Sequence, residues 1–108
     1  MATFNDFLES VKSDLLEFAN ENIVEYKEEL LKDGNAFIEK SKEDIERWAE
    51  ELAAGDLSEK DFKYLLKGKK DLAEMEALKQ LGLSRVRIDK IKNGLLDVVV
   101  GSAVKTFL

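Results

Sequence analysis

The sequence predicts an all-α protein, an antiparallel helical bundle or a long helical hairpin of three to four helices, completed by homo-oligomerisation. Apolar residues recur every three or four positions along most of the chain, which is the helical period. Proline is absent, and glycine-containing turns divide the chain into segments of helix length. A chain of 108 residues can bury a core without disulfides or metals, so we expect a single helical domain over residues 1–108.

The first predicted helix covers residues 4–32. A capping box of Thr3 and Asp6 starts it, and Lys32-Asp33-Gly34-Asn35 signals its end, because glycine and asparagine readily take the left-handed conformation that ends helices. The apolar spacing also continues through Gly34, so one helix of about fifty residues is an alternative. The apolar residues at alternating intervals of 4 and 3 lie on one narrow face: Phe4, Leu8, Val11, Leu15 and Phe18.

The second predicted helix covers residues 36–53 and ends in a turn at Gly55, a residue suited to the C-terminal cap. Trp48 is the only tryptophan, and it shares one stripe with Ile45 and Leu52. A large amphipathic ring on an apolar stripe is typical of a core or interface anchor. We therefore expect Trp48 to be buried rather than to stack on a ligand.

The third predicted helix, residues 58–80, begins with a capping box of Ser58 and Asp61. Lysines spaced by three and four residues form a stripe opposite its apolar face, and two arginines further on begin a second basic cluster. Phosphate backbones bind such surfaces by releasing counterions, although no aromatic residues are interleaved for base stacking. The candidate polyanion face comprises Lys60, Lys63, Lys67, Lys70, Arg85 and Arg87.

The fourth predicted helix, residues 85–106, follows Gly82 and the cap residue Ser84. Its run Val98-Val99-Val100 would also suit a strand, but a lone strand leaves its backbone unpaired, so we predict a helix. Apolar residues cover most of its circumference, and a small bundle usually leaves each helix a solvent face. We therefore expect a homodimer whose second copy covers Leu95, Val98, Val99, Ala103 and Phe107.

The two halves of the chain carry opposite charge. Residues 1–57 contain 6 lysines and arginines against 16 acidic residues, whereas residues 58–108 contain 11 against 7. The simplest interpretation is that these charges select which helix faces which, since an antiparallel arrangement brings opposite signs together. The alternative is that one charged face binds a partner.

The missing residue types exclude much catalytic chemistry. With no histidine and no cysteine, the chain has no imidazole base, no thiol nucleophile and no thiolate or imidazole metal ligand. Gly68-Lys69 fails the phosphate-binding-loop pattern, because Lys63 stands where the first glycine belongs and Lys70 replaces the serine or threonine. We expect no enzyme activity, no cofactor and no metal.

The predicted function is a non-catalytic protein–protein interaction or structural module that forms a homo-oligomer and binds a further protein. Binding to a membrane surface through the apolar fourth helix ranks second, and binding of nucleic acid, which the net charge of −6 disfavours, ranks third. The longest apolar-rich stretch is shorter than the roughly 20 residues of a membrane span. The N-terminus lacks the features of a signal peptide, so a cytoplasmic location is expected.

Overall fold

The helices of the protein are shorter and more numerous than the three to four predicted. The computed structural model describes residues 3–22, 24–69 and 75–108. These residues form six α-helices and one 3-10 turn, so the all-α prediction is confirmed. The elements are α1 (Phe4–Asn22), the 3-10 turn (Val24–Tyr26), α2 (Lys27–Lys40), α3 (Lys42–Ala53), α4 (Glu59–Lys67), α5 (Glu76–Lys79) and α6 (Arg85–Phe107).

Three predicted helix starts are confirmed by side-chain caps. Both bonds of the first capping box form: the Thr3 N–H donates to Asp6 Oδ2 at 2.8 Å, and the Asp6 N–H donates to Thr3 Oγ1 at 3.2 Å. Ser58 Oγ accepts the N–H of Asp61 at 3.1 Å, and Ser84 Oγ accepts the N–H three residues further on at 3.2 Å. Each cap satisfies a backbone donor that has no partner within its helix.

The predicted turns at Gly55 and Gly82 are also confirmed. Their φ angles are +82° and +71°, in the left-handed region that glycine enters without steric cost. The turn at Gly55 reverses the chain between α3 and α4, which positions the groove described below.

The predicted break at Gly34 is wrong. Gly34 lies inside α2, and the chain instead departs from regular α-helix at Val24–Tyr26 and at Ser41. A methyl group on Gly34 would lie 2.7 Å from Cδ2 of Leu15 and 3.4 Å from Cδ1 of Leu95. The glycine therefore permits close approach of three helices rather than ending one. A continuous helix of about fifty residues would be about 75 Å long, and the molecule's longest dimension is 41 Å, so the long hairpin is excluded.

The predicted third helix, residues 58–80, is also divided. α4 ends at Lys67, and α5 is a single turn. The carboxylate of Asp33, on α2, accepts the backbone N–H groups of Ala77 and Leu78 at 3.1 and 2.8 Å. A residue from another helix thus caps α5, which no pattern within residues 58–80 could have indicated.

α6 is the central helix of the bundle. It packs mainly against α1 and also against α4 and α3. Residue numbers fall along α6 as they rise along α1, so these two helices are antiparallel. Three contacts show this direction: the ring of Phe7 lies 5.8 Å from that of Phe107, Asp14 bonds Ser102, and the Phe18 ring covers Gly94.

The apolar surface of α6 is largely covered by the chain itself. Leu95, Val99 and Ala103 are completely buried in the core, while Val98 and Phe107 are half-buried. The homodimer was predicted because one copy was expected to leave apolar surface of this helix uncovered. Three of the five predicted interface residues are completely buried within one chain, so that reason is wrong for them. One helix can be central here because α1, α3 and α4 surround it. The dimer itself stays a prediction.

Candidate interaction groove

A surface groove of about 480 Å³ lies between α3 and the C-terminal end of α4. The turn at Gly55 folds these two helices against each other, so residues near the start of α3 face residues just after α4. Cationic and aromatic side chains dominate its lining. We call it the basic–aromatic groove and define it by Asp44, Arg47, Trp48, Tyr64, Lys67 and Lys69.

Helix α3 contributes the tryptophan and one cation. Ile45, Ala49 and Leu52 are buried on its apolar face, which leaves Trp48 half-buried at the edge of the core. The guanidinium carbon of Arg47 lies 5.8 Å from the centroid of the Trp48 ring, within cation–π range. The predicted burial of Trp48 is therefore only partial, and part of the ring borders the groove.

Helix α4 contributes an exposed tyrosine. Phe62 and Leu66 point into the core, so Tyr64 projects from the opposite face with 76% of its surface exposed. It follows Lys60 by four residues and precedes Lys67 by three, so the three side chains share one face. The expectation that no aromatic residue is interleaved with these lysines is wrong.

Two cations of the groove converge on one carboxylate. Nη2 of Arg47 lies 3.0 Å from Oδ1 of Asp44, and Nζ of Lys69 donates to Oδ2 of the same group. The hydrogen bond from Lys69 is the largest cause of a lowered Asp44 pKa; partial desolvation opposes it, and the charges of Lys69 and Arg47 add to it. Asp44 is therefore ionised at neutral pH and offsets part of the groove's positive charge.

Among the described lysines of the predicted polyanion face, one is paired within the fold. Lys60 and Lys67 are exposed, but Nζ of Lys63 bonds Oδ1 of Asp97 on α6 at 2.7 Å. Lys70 lies outside the described residues. Lys63, the second of the four lysines in the stripe, is thus engaged within the fold, which interrupts the row of cations available to a partner.

The two arginines of that face lie elsewhere. Arg85 is exposed at the start of α6, and the guanidinium carbon of Arg87 lies 5.3 Å from the centroid of the Tyr26 ring. Neither arginine lines the groove, so both belong to a different part of the surface.

A second polar cluster, around Asp14, joins α1 to α6. Its carboxylate accepts hydrogen bonds from Ser102 Oγ at 2.6 Å, Lys105 Nζ at 2.9 Å and Ser10 Oγ at 3.4 Å. Partial burial is the largest single effect and raises the pKa of Asp14, but the hydrogen bonds from Ser102, Lys105 and Ser10, together with the charge of Lys105, lower it more, so it lies below its ordinary value. This cluster ties α1, in the acidic half of the chain, to α6, in the basic half.

Two other kinds of site, a metal centre and a membrane span, have no counterpart among the described residues. Over residues 3–22, 24–69 and 75–108, acidic side chains are nowhere grouped in threes that could hold a metal ion. Within the same residues, every helix is too short or too polar to cross a membrane. Comparisons with protein-family models, with curated proteins and with solved structures found no match.

Sequence reasoning missed Tyr64, Arg47 and Lys69 as members of a site. Tyr64 could have been found, because its spacing from Lys60 and Lys67 already places it among the lysines. Lys69 could not, because its partner Asp44 is 25 residues earlier and the contact depends on how α3 and α4 pack.

Proposed function

We propose that the protein is a non-catalytic helical interaction module that binds an acidic segment of another protein in the basic–aromatic groove. The observation that carries this proposal is Tyr64, 76% exposed, on a groove that also contains Trp48 and the cations Arg47, Lys67 and Lys69. Tyrosine, tryptophan and arginine are the residues that contribute most to binding energy at protein interfaces.

The groove combines apolar contact area with positive charge. The aromatic rings offer surface that water solvates poorly, and the cations supply electrostatic attraction to carboxylates. Screening limits that attraction to about 8 Å at physiological salt. A segment in the groove therefore responds mainly to nearby cations rather than to the chain's net charge of −6.

An acidic protein segment fits this geometry better than a nucleic acid does. A bound strand needs cations that follow its phosphates, whereas the α4 stripe is interrupted where Lys63 pairs with Asp97. The groove volume of about 480 Å³ also suits a few side chains. The carboxylate in it, Asp44, is held in ion pairs rather than set beside a second carboxyl as an acid–base couple, which supports a binding role rather than a catalytic one.

Fluorescence tests the proposal directly, because Trp48 is the only tryptophan in the chain. The probe is a short peptide of glutamates interrupted by leucines. We expect a saturable change in Trp48 emission that weakens as salt rises. Tyr64→Ala and Lys67→Glu should each weaken binding, because they remove an aromatic contact and reverse a charge in the groove.

The matched control is Lys12→Glu, which makes the same change of charge at an exposed position on α1. Equal weakening by Lys12→Glu and Lys67→Glu would show a general charge effect and would contradict a site in the groove. A single-stranded oligothymidylate that binds more tightly than the peptide would favour nucleic acid instead. No emission change with the peptide would also contradict the proposal.

A further inference from the structure

The contact between Asp44 and its two cations resembles the contact that an acidic ligand would make. One carboxylate oxygen lies 3.0 Å from Nη2 of Arg47, and the other accepts a hydrogen bond from Nζ of Lys69. Both cations also line the groove beside Trp48. A ligand carboxylate that enters the groove therefore meets cations that already hold an anion.

We propose that Asp44 is an internal competitor, whose carboxylate occupies the Arg47 and Lys69 cations that bind the anionic group of the ligand. This inference rests on the proposed function and adds a regulatory element to the same site. An acidic ligand binds by displacing Asp44 from these cations, so the affinity measured for the whole chain is lower than the affinity of the unoccupied cations.

The surroundings of the ion pairs support this exchange. The side chains of Asp44 and Lys69 are 29% and 23% exposed, so their contact is partly withdrawn from water and is screened less than a surface pair. Arg47 is more accessible, with 61% of its side chain exposed. Its guanidinium also lies over the Trp48 ring, a contact that keeps it at the groove once Asp44 has been displaced.

The test compares Asp44→Asn with Glu43→Gln. Both variants remove one negative charge from the first turn of α3, so they alter the net charge and the interaction with the helix dipole alike. Glu43 is exposed, whereas Asp44 holds the two cations. We expect Asp44→Asn to bind the glutamate–leucine peptide at least about threefold more tightly than Glu43→Gln does, because it releases two cations.

A peptide with glutamine in place of glutamate provides a second readout. It has no carboxylates to occupy the released cations, so Asp44→Asn and Glu43→Gln should bind it alike. Dissociation constants come from Trp48 emission, and thermal unfolding of each variant identifies any that fails to fold. If Asp44→Asn fails to fold, the milder Asp44→Glu replaces it in the test. Its longer side chain misplaces the carboxylate relative to Arg47 and Lys69, so this variant should also bind the glutamate–leucine peptide more tightly than the wild type does.

The outcomes separate the two proposals. Wild-type binding with equal affinities for Asp44→Asn and Glu43→Gln would overturn the competitor and leave the proposed function standing. Weaker binding by Asp44→Asn would also overturn it, since Asp44 would then position the cations for the ligand. No binding by the wild type or by any variant would overturn both proposals.

Discussion

Alanine substitutions at two glycines of α6 test the packing of the bundle, because they should change its stability in opposite directions. A methyl group added at Gly94 would lie 2.3 Å from Cζ and 2.8 Å from Cε1 of Phe18, whereas one added at Gly101 would meet nothing within 4 Å. Both positions are inside the same helix. Alanine at either site therefore brings the same gain in helix propensity, about 1 kcal/mol, and the variants differ in what the methyl group contacts.

The expected magnitudes follow from these distances. Gly101→Ala should raise the free energy of unfolding by about 1 kcal/mol, which raises the melting temperature by about 4 °C for a domain of this size. Gly94→Ala forces the Phe18 ring back by about 1 Å to reach ordinary contact at 3.4 Å. Such overpacking costs about 2 kcal/mol, which outweighs the gain in helix propensity of about 1 kcal/mol. We therefore expect Gly94→Ala to lower the free energy of unfolding by about 1 kcal/mol, about 2 kcal/mol below that of Gly101→Ala.

Urea unfolding followed by circular dichroism measures both variants against the wild type. Phe18→Leu is the control, because the smaller side chain makes room for the added methyl group. In that background Gly94→Ala should become stabilising. If Gly94→Ala stabilises the wild-type protein as much as Gly101→Ala does, the close packing of α1 on α6 is wrong.

Three further predictions concern stability. Gly34→Ala should lower the free energy of unfolding by about 1 kcal/mol in urea denaturation, because Leu15 is completely buried and cannot move into solvent; stabilisation would contradict the packing of α2 on α1. Asp33→Ala should cost about 1–2 kcal/mol by the same assay, since it uncaps α5; an unchanged unfolding midpoint would refute that cap. The lowered pKa of Asp14 means that its ionised form stabilises the fold above the unfolded-state value, and this contribution disappears as pH falls through the folded value. Asp14→Asn should therefore be less stable than wild type at pH 7, with a gap that closes below about pH 4, and a gap independent of pH would contradict the assignment.

The groove illustrates how far the sequence alone could predict a site. Spacing on α4 places Tyr64 among the lysines, so a basic surface with an exposed aromatic could have been predicted from residues 60–67. The two ion pairs of Asp44, with Arg47 and with Lys69, differ from each other in whether the sequence could predict them. Arg47 is three residues from Asp44 on the same helix, a local spacing, whereas Lys69 reaches Asp44 only because α3 and α4 fold together.

Local chemistry determined where α1, α4 and α6 start and where two of the turns form. Thr3, Ser58 and Ser84 bond backbone groups three residues away, and Gly55 and Gly82 take a backbone conformation that other residues avoid. These interactions involve neighbours in sequence, so the sequence alone was sufficient to predict them.

Only the tertiary structure decided what covers each helix. Gly34 could end a helix or admit a neighbouring one, and the proximity of Leu15 and Leu95 shows the second. The apolar circumference of α6 indicated burial without showing by what, and α1, α3 and α4 provide it within one chain. Helical periodicity defines the face that must be buried, but the partner of that face depends on contacts between residues far apart in sequence.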